Sequence, residues 1–254
     1  MSKPRFFLTD AMPDATDAVR LPLSDSDVHH AVSVLRLKPG DELEVVEPGG
    51  GRAFKVLLTH ASVAGVEGLM TQELAGLESV RVALVQGVAK GEKMDDIVRQ
   101  AVEIGACEII PVITERSVVR LAPGKRADKG ERWRRIAKSA AQQSHRDEIP
   151  PVHDPVPSQD ALQEMERFNG VVVLWEEAGG QGVESAIERL GLGERASVAL
   201  VVGPEGGLTR SEVERFSAMG AEVASLGPGI LRTETAALVA LTIALHHLGG
   251  LGRD

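Results

Sequence analysis

The stretch "RVALVQGVAKGEKMDDIVRQAVEIGACEIIPVIT", Arg81 to Thr114, decides the architecture. It opens on RVALVQGV, a short apolar run rich in β-branched side chains, which is the pattern of a buried strand. Met94, Ile97, Val98, Ala101, Val102 and Ile104 then recur at helical spacing, and CEIIPVIT is a second apolar run. Strand, helix and strand in succession predict a β-α-β unit with parallel pairing. The alternation continues downstream. KGERWRRIAKSAAQQSH reads as a basic helix, GVVVLWEE and ASVALVVG as strands, TRSEVERFSAMG as a short helix, and AEVASLG as a last strand before the closing helix. The C-terminal two-thirds therefore reads as an α/β domain around a mostly buried sheet.

Upstream the pattern is different. Short apolar runs, ELEVVEP and RAFKVLLTHASVAGVEGLM, are separated by Gly, Pro and acidic turns, and LKPGDELEVVEPGGGRAFKVLLTH reads as strand, Gly-rich turn, strand. This predicts a small β-domain, a partly closed barrel, that ends near TQELAGLES. The expected division is residues 1–75 and 76–254.

Composition limits the function classes. With 254 residues, 43% hydrophobic and 26% charged, the chain has the balance of an ordinary folded protein. Its first residues, MSKPRFFLTDAMPDA, contain no apolar core of signal-peptide length, and the longest apolar run, Ala236 to Leu245, is about half a membrane span. A cytoplasmic protein with no membrane partner is expected. One cysteine, Cys107, excludes an internal disulfide and a Cys-rich zinc site, so it reads as core filler and no metal is expected. The adjacent pairs His29-His30 and His246-His247 point apart on either a helix or a strand, and no G-x-S-x-G supplies a nucleophile.

Net charge is −9, which argues against coating nucleic acid everywhere, but the sum hides a local asymmetry. Between Arg116 and Arg146 there are ten Lys or Arg against two Asp or Glu, and from Asp147 onward seven against seventeen. Such a chain reads as an enzyme that meets an anionic partner on one face.

Two strand-to-helix loops concentrate the chemistry: VVGPEGGLTRSEVE, Val201 to Glu214, and SLGPGILRTETAAL, Ser225 to Leu238. Both leave the C-terminal ends of strands, where open α/β sheets bind ligands. Gly203, Gly206 and Gly207 allow close backbone approach, and Thr209 with Glu212 spells a capping box. Neither loop has Walker or dinucleotide spacing, and Glu205 would repel a phosphate. The loops suit an adenosine-type ligand without phosphate; a phosphate-bearing nucleotide is the competing reading. Thr233 or Thr235 is expected to cap the closing helix.

These motifs, with RFF at Arg5 to Phe7, HHAVSVLRLKPGDEL at His29 to Leu43, KGEKMDDIVRQAVEIGACEIIPVITERSV at Lys90 to Val118 and AAQQSHRDEIPPV at Ala140 to Val152, resemble the RsmE family of 16S ribosomal RNA uracil-N3 methyltransferases. The resemblance runs over almost the whole chain in the family's order. It implies a PUA-like β-barrel that helps bind RNA, followed by a SPOUT-type methyltransferase domain with a C-terminal trefoil knot. It also implies S-adenosylmethionine as methyl donor, 16S rRNA of the small subunit as partner, and a homodimer with active sites near the subunit interface. Carried over by position, the cofactor pocket uses Leu174 and Glu176, the loop Gly203, Pro204, Glu205, Gly206 and Gly207, then Leu226, Gly227, Ile230, Leu231 and Thr233. Two positions depart from the family pattern. Gly229 stands where a larger or basic residue is common, and Gln142 where an acidic one is expected.

Uracil N3 attacks well only after losing its proton, and a cation near the uracil oxygens would stabilise the anion; Arg232 is the expected catalytic residue, with a structural salt bridge to Glu234 or a neighbouring carboxylate as the competing role. Arg132, Arg134, Arg135 and Lys138 on the basic helix, with Arg5 and Arg36 in the small domain, are the expected RNA contacts. Tyrosine is absent and aromatics are only 3%, so recognition is expected to rest on RNA shape rather than base stacking. The alternative from another class is a non-catalytic RNA-binding ribosome-assembly factor with the same fold.

Overall fold

The computed structural model describes residues 3–13, 17–76, 80–119, 121–192 and 196–252. The chain divides into two compact units, Met1–Glu78 with Ala141–Ile149, and Ser79–Ala140 with Pro150–Asp254.

The first unit is built on a five-stranded sheet in the order β1-β3-β4-β5-β2. β3 (Glu42–Val46) and β4 (Ala53–Ser62) form the expected hairpin across the Gly-rich turn, β5 (Gly65–Leu74) continues it antiparallel, β1 (Arg5–Phe7) adds parallel to β3, and β2 (Val19–Arg20) pairs with β5. Period-two alternation sends Leu43, Val45, Phe54, Val56 and Leu58 into one core with Phe6 and Val66. A short helix α1 (Asp25–His29), capped by Ser24, runs directly into a π-helical turn, His30–Val34.

Residues 141–149 belong to this unit through Arg5. Its guanidinium, 9% exposed, donates to the carbonyls of His145 (2.7 Å) and Arg146 (3.0 Å) and pairs with Asp147 (2.8 Å) and Glu44 (2.9 Å). A charge buried this way needs its partners, because water is excluded from it. Gln142 donates to Asp27 Oδ1 at 3.3 Å, a contact that an acidic residue at this position would turn into repulsion.

In the second unit β6 (Arg81–Gly87), α2 (Lys93–Ile104) and β7 (Glu108–Ile113) form the expected β-α-β unit. Met94, Ile97, Val98, Ala101 and Val102 make the buried face of α2, and Gly105, at φ 128°, ends the helix. The chain continues through α3 (Pro123–Gln143), β8 (Val156–Pro157), α4 (Ala161–Met165), β9 (Gly170–Leu174), α5 (Val183–Arg189), β10 (Ser197–Val202), α6 (Arg210–Ala218), β11 (Glu222–Ala224) and α7 (Thr233–His247). All six strands run parallel in the order β11-β9-β10-β6-β7-β8. The two central strands, β6 and β10, are buried along nearly their whole length, as expected for a parallel sheet covered by helices. Their C-terminal ends lie side by side, with Val201 opposite Val85 and Val202 opposite Gln86, and α7 packs against both.

The expected cap of α7 is overturned. Arg232 is the N-cap residue and makes no side-chain cap bond, while Thr233 is the first helical residue with its hydroxyl turned inward.

Candidate active site

Beyond Val202 the chain turns at once into the loop that leads to α6. A Cβ on Gly203 would lie 2.8 Å from the carbonyl carbon of Gly207, so the loop closes on itself only with glycine there. Gly207 has φ 69°, a left-handed conformation, and a Cβ on it would meet Glu176 Oε1 at 3.0 Å. The loop ends in the capping box expected from the sequence. Thr209 accepts from the Glu212 amide at 3.2 Å, and Glu212 accepts from the Thr209 amide at 3.0 Å. Glu212, 1% exposed, also accepts from the Glu115 amide and from Ser158 Oγ, each at 3.0 Å. The segment after β7 is thereby tied to the start of α6, and Arg116 Nη1 donates to the Gly206 carbonyl at 3.3 Å.

The second loop leaves β11. Ser225 donates its amide to the Gln181 carbonyl at 2.6 Å, after which the chain runs exposed from Gly227 to Arg232. Ile230 is 90% exposed, the most open large apolar side chain among the described residues.

A buried amide joins the two loops. Gln86, at 0% exposure, donates Nε2 to Thr233 Oγ1 at 2.9 Å and to the Gly203 carbonyl at 3.4 Å, and Thr233 donates its hydroxyl to the same carbonyl at 2.6 Å. The first residue of α7 and the first residue of the glycine loop are locked together in a place that water does not reach.

Between the loops lies a cavity of about 520 Å³. Every residue expected to hold the cofactor lines it: Leu174 and Glu176 at the end of β9, Gly203, Pro204, Glu205, Gly206 and Gly207, then Leu226, Gly227, Ile230, Leu231 and Thr233. Arg232 lines it too, exposed and without a side-chain partner among the described residues. A structural salt bridge from Arg232 to Glu234 is not formed, because Glu234 pairs with Lys93 at 3.4 Å. Lys93 also pairs with Glu205 at 3.4 Å. Burial alone would raise the Glu205 carboxyl, but the amides of Glu205 and Lys90 and the Lys93 ammonium outweigh it and hold the group below its ordinary value. The cavity is thus walled by ionised groups of both signs beside apolar leucines.

The expected RNA contacts fall in both units. On α3, Arg132 pairs with Asp95, Arg134 with Asp154 at 3.0 Å, and Arg135 with Glu131 at 3.5 Å. Lys138 lies on the same helix, and Arg36 is exposed in the first unit at φ 54°. Arg5 differs from the exposed arginines in being buried. Its buried charge is taken up by Glu44, Asp147 and two carbonyls, so it holds the first unit together rather than facing a polyanion. Among the described residues, no group of three or more His, Cys, Asp or Glu is placed to hold a metal ion, and no helix is long and apolar enough to cross a membrane.

A family model described as an RNA methyltransferase domain matches residues 77–245, and one described as an RNA methyltransferase PUA domain matches residues 23–62. The chain is 39% identical to the Ribosomal RNA small subunit methyltransferase E of Bacillus subtilis strain 168, over 94% of both chains. The chain belongs to the ribosomal RNA small subunit methyltransferase E family. Another member, from Mycobacterium bovis, is 36% identical over 92% of this chain and 88% of its own. Among solved structures, the Neisseria gonorrhoeae ribosomal RNA small subunit methyltransferase E bound to S-adenosylmethionine matches with TM-score 0.81 at 30% identity, covering 96% of this chain and 98% of that one. A putative methyltransferase from Legionella pneumophila in complex with the same cofactor matches with TM-score 0.82 at 28% identity, covering 97% and 98%. The expected pairing of a PUA-like β-domain with an α/β RNA methyltransferase domain is borne out by these matches.

Beside the residues that place the chain in the ribosomal RNA small subunit methyltransferase E family, sequence reasoning missed Gln86, Lys93 and Glu234. Gln86 carried a signal, as the one uncharged polar side chain in the run RVALVQGV. Lys93 and Glu234 carried none, since charged residues in a first helical turn are ordinary.

Proposed function

We propose that this chain methylates N3 of a uridine in 16S rRNA of the small ribosomal subunit, with S-adenosylmethionine as donor. The observation that carries the reading is Arg232, an unpaired cation on the wall of the cavity that both glycine-rich loops enclose.

The residues present fit the donor. A cavity of about 520 Å³ is the size of a small-molecule site, which runs from roughly 300 to 1,000 Å³. Gly227 and Gly229 on the cavity wall have open space where a Cβ would lie, so a ligand can approach their backbone, and Leu174, Leu226 and Leu231 supply apolar walls. Glu176, which pairs with no cation among the described residues, favours a cationic ligand over a phosphate, while the charge of Glu205 is offset by Lys93. Bound there, S-adenosylmethionine supplies an electrophilic methyl group on a sulfonium, to be transferred in line to the attacking nitrogen.

The chain's own part is positioning and charge. N3 lies on the pairing edge of uracil, so the base enters unpaired, and the Arg232 guanidinium stabilises the negative charge that spreads onto the uracil oxygens as the N3 proton passes to solvent. Gln86 and Thr233 fix Gly203 beneath the cavity, so the loop is shaped before ligand arrives. Arg134 and Arg135 make surface pairs worth little, so exchanging a carboxylate for an RNA phosphate costs little there, while the exposed Arg132 is held by the shielded Asp95; with Lys138 and Arg36 they are the proposed phosphate contacts.

The same proposal assigns residues 1–75 as the PUA-like RNA-binding domain and 76–254 as the methyltransferase domain with a knotted C-terminal segment, of which residues 141–149 belong with the first unit. It also takes the chain as a cytoplasmic homodimer. The test is methyl transfer from labelled S-adenosylmethionine to naked 16S rRNA, small subunits and whole ribosomes, with the product nucleoside mapped by mass spectrometry. 3-Methyluridine is expected. A 2'-O-methyl or carbon-methyl product overturns the N3 assignment, and cofactor binding without transfer to any substrate favours the non-catalytic assembly factor.

A further inference from the structure

Three segments far apart in sequence bring charged side chains together beside the cavity, where Lys93 and Glu205 line the wall and Glu234 backs Lys93. Lys93 stands in the first turn of α2, Glu205 in the loop after β10, and Glu234 in the first turn of α7. The Lys93 ammonium lies 3.4 Å from Glu205 Oε1 and 3.4 Å from Glu234 Oε2. All three side chains are partly shielded, with exposures of 37%, 27% and 24%. Glu234 Oε2 is itself buried and accepts no hydrogen bond among the described residues, so Lys93 is what offsets its charge. Glu205 Oε1 accepts from the Lys90 amide at 3.1 Å, which fixes the carboxylate from the α2 side. The cation sits between two anions that would otherwise repel.

From this geometry we infer that Lys93 is a positioning residue of the methyltransferase site, a charge clasp that holds the glycine loop and the start of α7 at the spacing the cofactor cavity needs. The inference rests on the reading of that cavity as the S-adenosylmethionine site. The clasp is the outer tie between the two walls; Gln86, bonded to Thr233 and to the Gly203 carbonyl, is the inner one. The inner tie is neutral and buried, so it keeps the loops attached. The outer tie is ionic, so removing its cation leaves two carboxylates facing each other, one of them with an oxygen out of reach of water.

The test is a double-mutant cycle read by calorimetry with S-adenosylmethionine and no RNA, each variant first checked for wild-type secondary structure and melting. Lys93→Met is expected to weaken cofactor binding about tenfold or more, and Glu234→Gln by about threefold. The double variant is expected to bind better than Lys93→Met alone, because it removes the uncompensated charge; a residue that merely filled space would give no such recovery. Lys93→Arg, which keeps the charge, should bind within about threefold of wild type. Cofactor affinity unchanged in Lys93→Met, or a double variant no better than Lys93→Met, overturns the clasp. Should Lys93→Met fail to fold, Glu234→Gln and Lys93→Arg decide, and wild-type affinity in Glu234→Gln overturns it. Because no RNA is present, a methylation product other than 3-methyluridine would refute the proposed reaction and leave this result standing.

Discussion

Arg232 ends its loop with extended backbone, φ −66° and ψ 151°, as the N-cap residue of α7. Its side chain is therefore released from the helix just where the cavity wall begins, while Thr233, one residue on, is buried at 5% and spends its hydroxyl on the Gly203 carbonyl. Neighbouring polar residues thus do opposite jobs, one supplying free charge and the other shaping backbone. The first was legible in the sequence, as a single cation between a Gly-Pro-Gly loop and an apolar run. The second was not, because a threonine before an apolar helix reads locally as a cap, and the competing partner is 30 residues away. Arg232→Ala is expected to lower kcat by about 10² to 10³, the usual loss when one donor to a developing anion is removed. S-Adenosylmethionine affinity should stay within about threefold, since the role proposed for Arg232 is on the acceptor and not on the donor. Steady-state rates with small subunits, set beside calorimetry without RNA, separate the two quantities. An equal loss in both would make Arg232 a pocket-building residue.

At the scale of elements, α6 shows how far a local signal reaches. The T-x-x-E spacing announced the capping box, and the box is present. Nothing local announced that Glu212 would also receive the Glu115 amide, 97 residues away, and the Ser158 hydroxyl, 54 residues away. One carboxylate thereby holds three segments of the second unit, and the glycine loop enters α6 at an angle fixed by that cluster. Glu212→Ala is expected to cost about 2 kcal/mol, combining a lost cap with buried donors left unpaired. Urea unfolding monitored by circular dichroism measures it, and Glu212→Gln, which keeps an acceptor, should recover part of the loss. A cost below about 0.5 kcal/mol, the scatter of ordinary surface substitutions, would mean that water replaces the carboxylate and that the cluster does not organise the loop.

For the whole molecule, periodicity announced parallel pairing but not the order β11-β9-β10-β6-β7-β8, because side-chain patterns record burial and not which strand lies beside which. That order makes β6 and β10 neighbours, which brings Gln86 to the loop after Val202, a juxtaposition no single segment contains. The same argument applies to α7. Its inner face, Ala237, Ala240, Leu241, Ala244 and Leu245, is buried in the unit, while Val239, Thr242, Ile243 and His246 form a second stripe that is half-buried or exposed. Thr242 donates its hydroxyl to the Leu238 carbonyl at 2.8 Å, so its donor is satisfied within the helix and needs nothing from across an interface. An outer stripe of this kind suits a second copy of the chain, as the proposed homodimer requires. Ile243→Glu places a charge in that stripe without touching the inner face. It is expected to shift sedimentation from dimer to monomer at about 10 µM and to weaken S-adenosylmethionine binding, while the melting transition remains cooperative. A wild-type chain that sediments as a monomer, or an Ile243→Glu variant that stays dimeric, would place the interface elsewhere and leave this stripe of α7 without a partner.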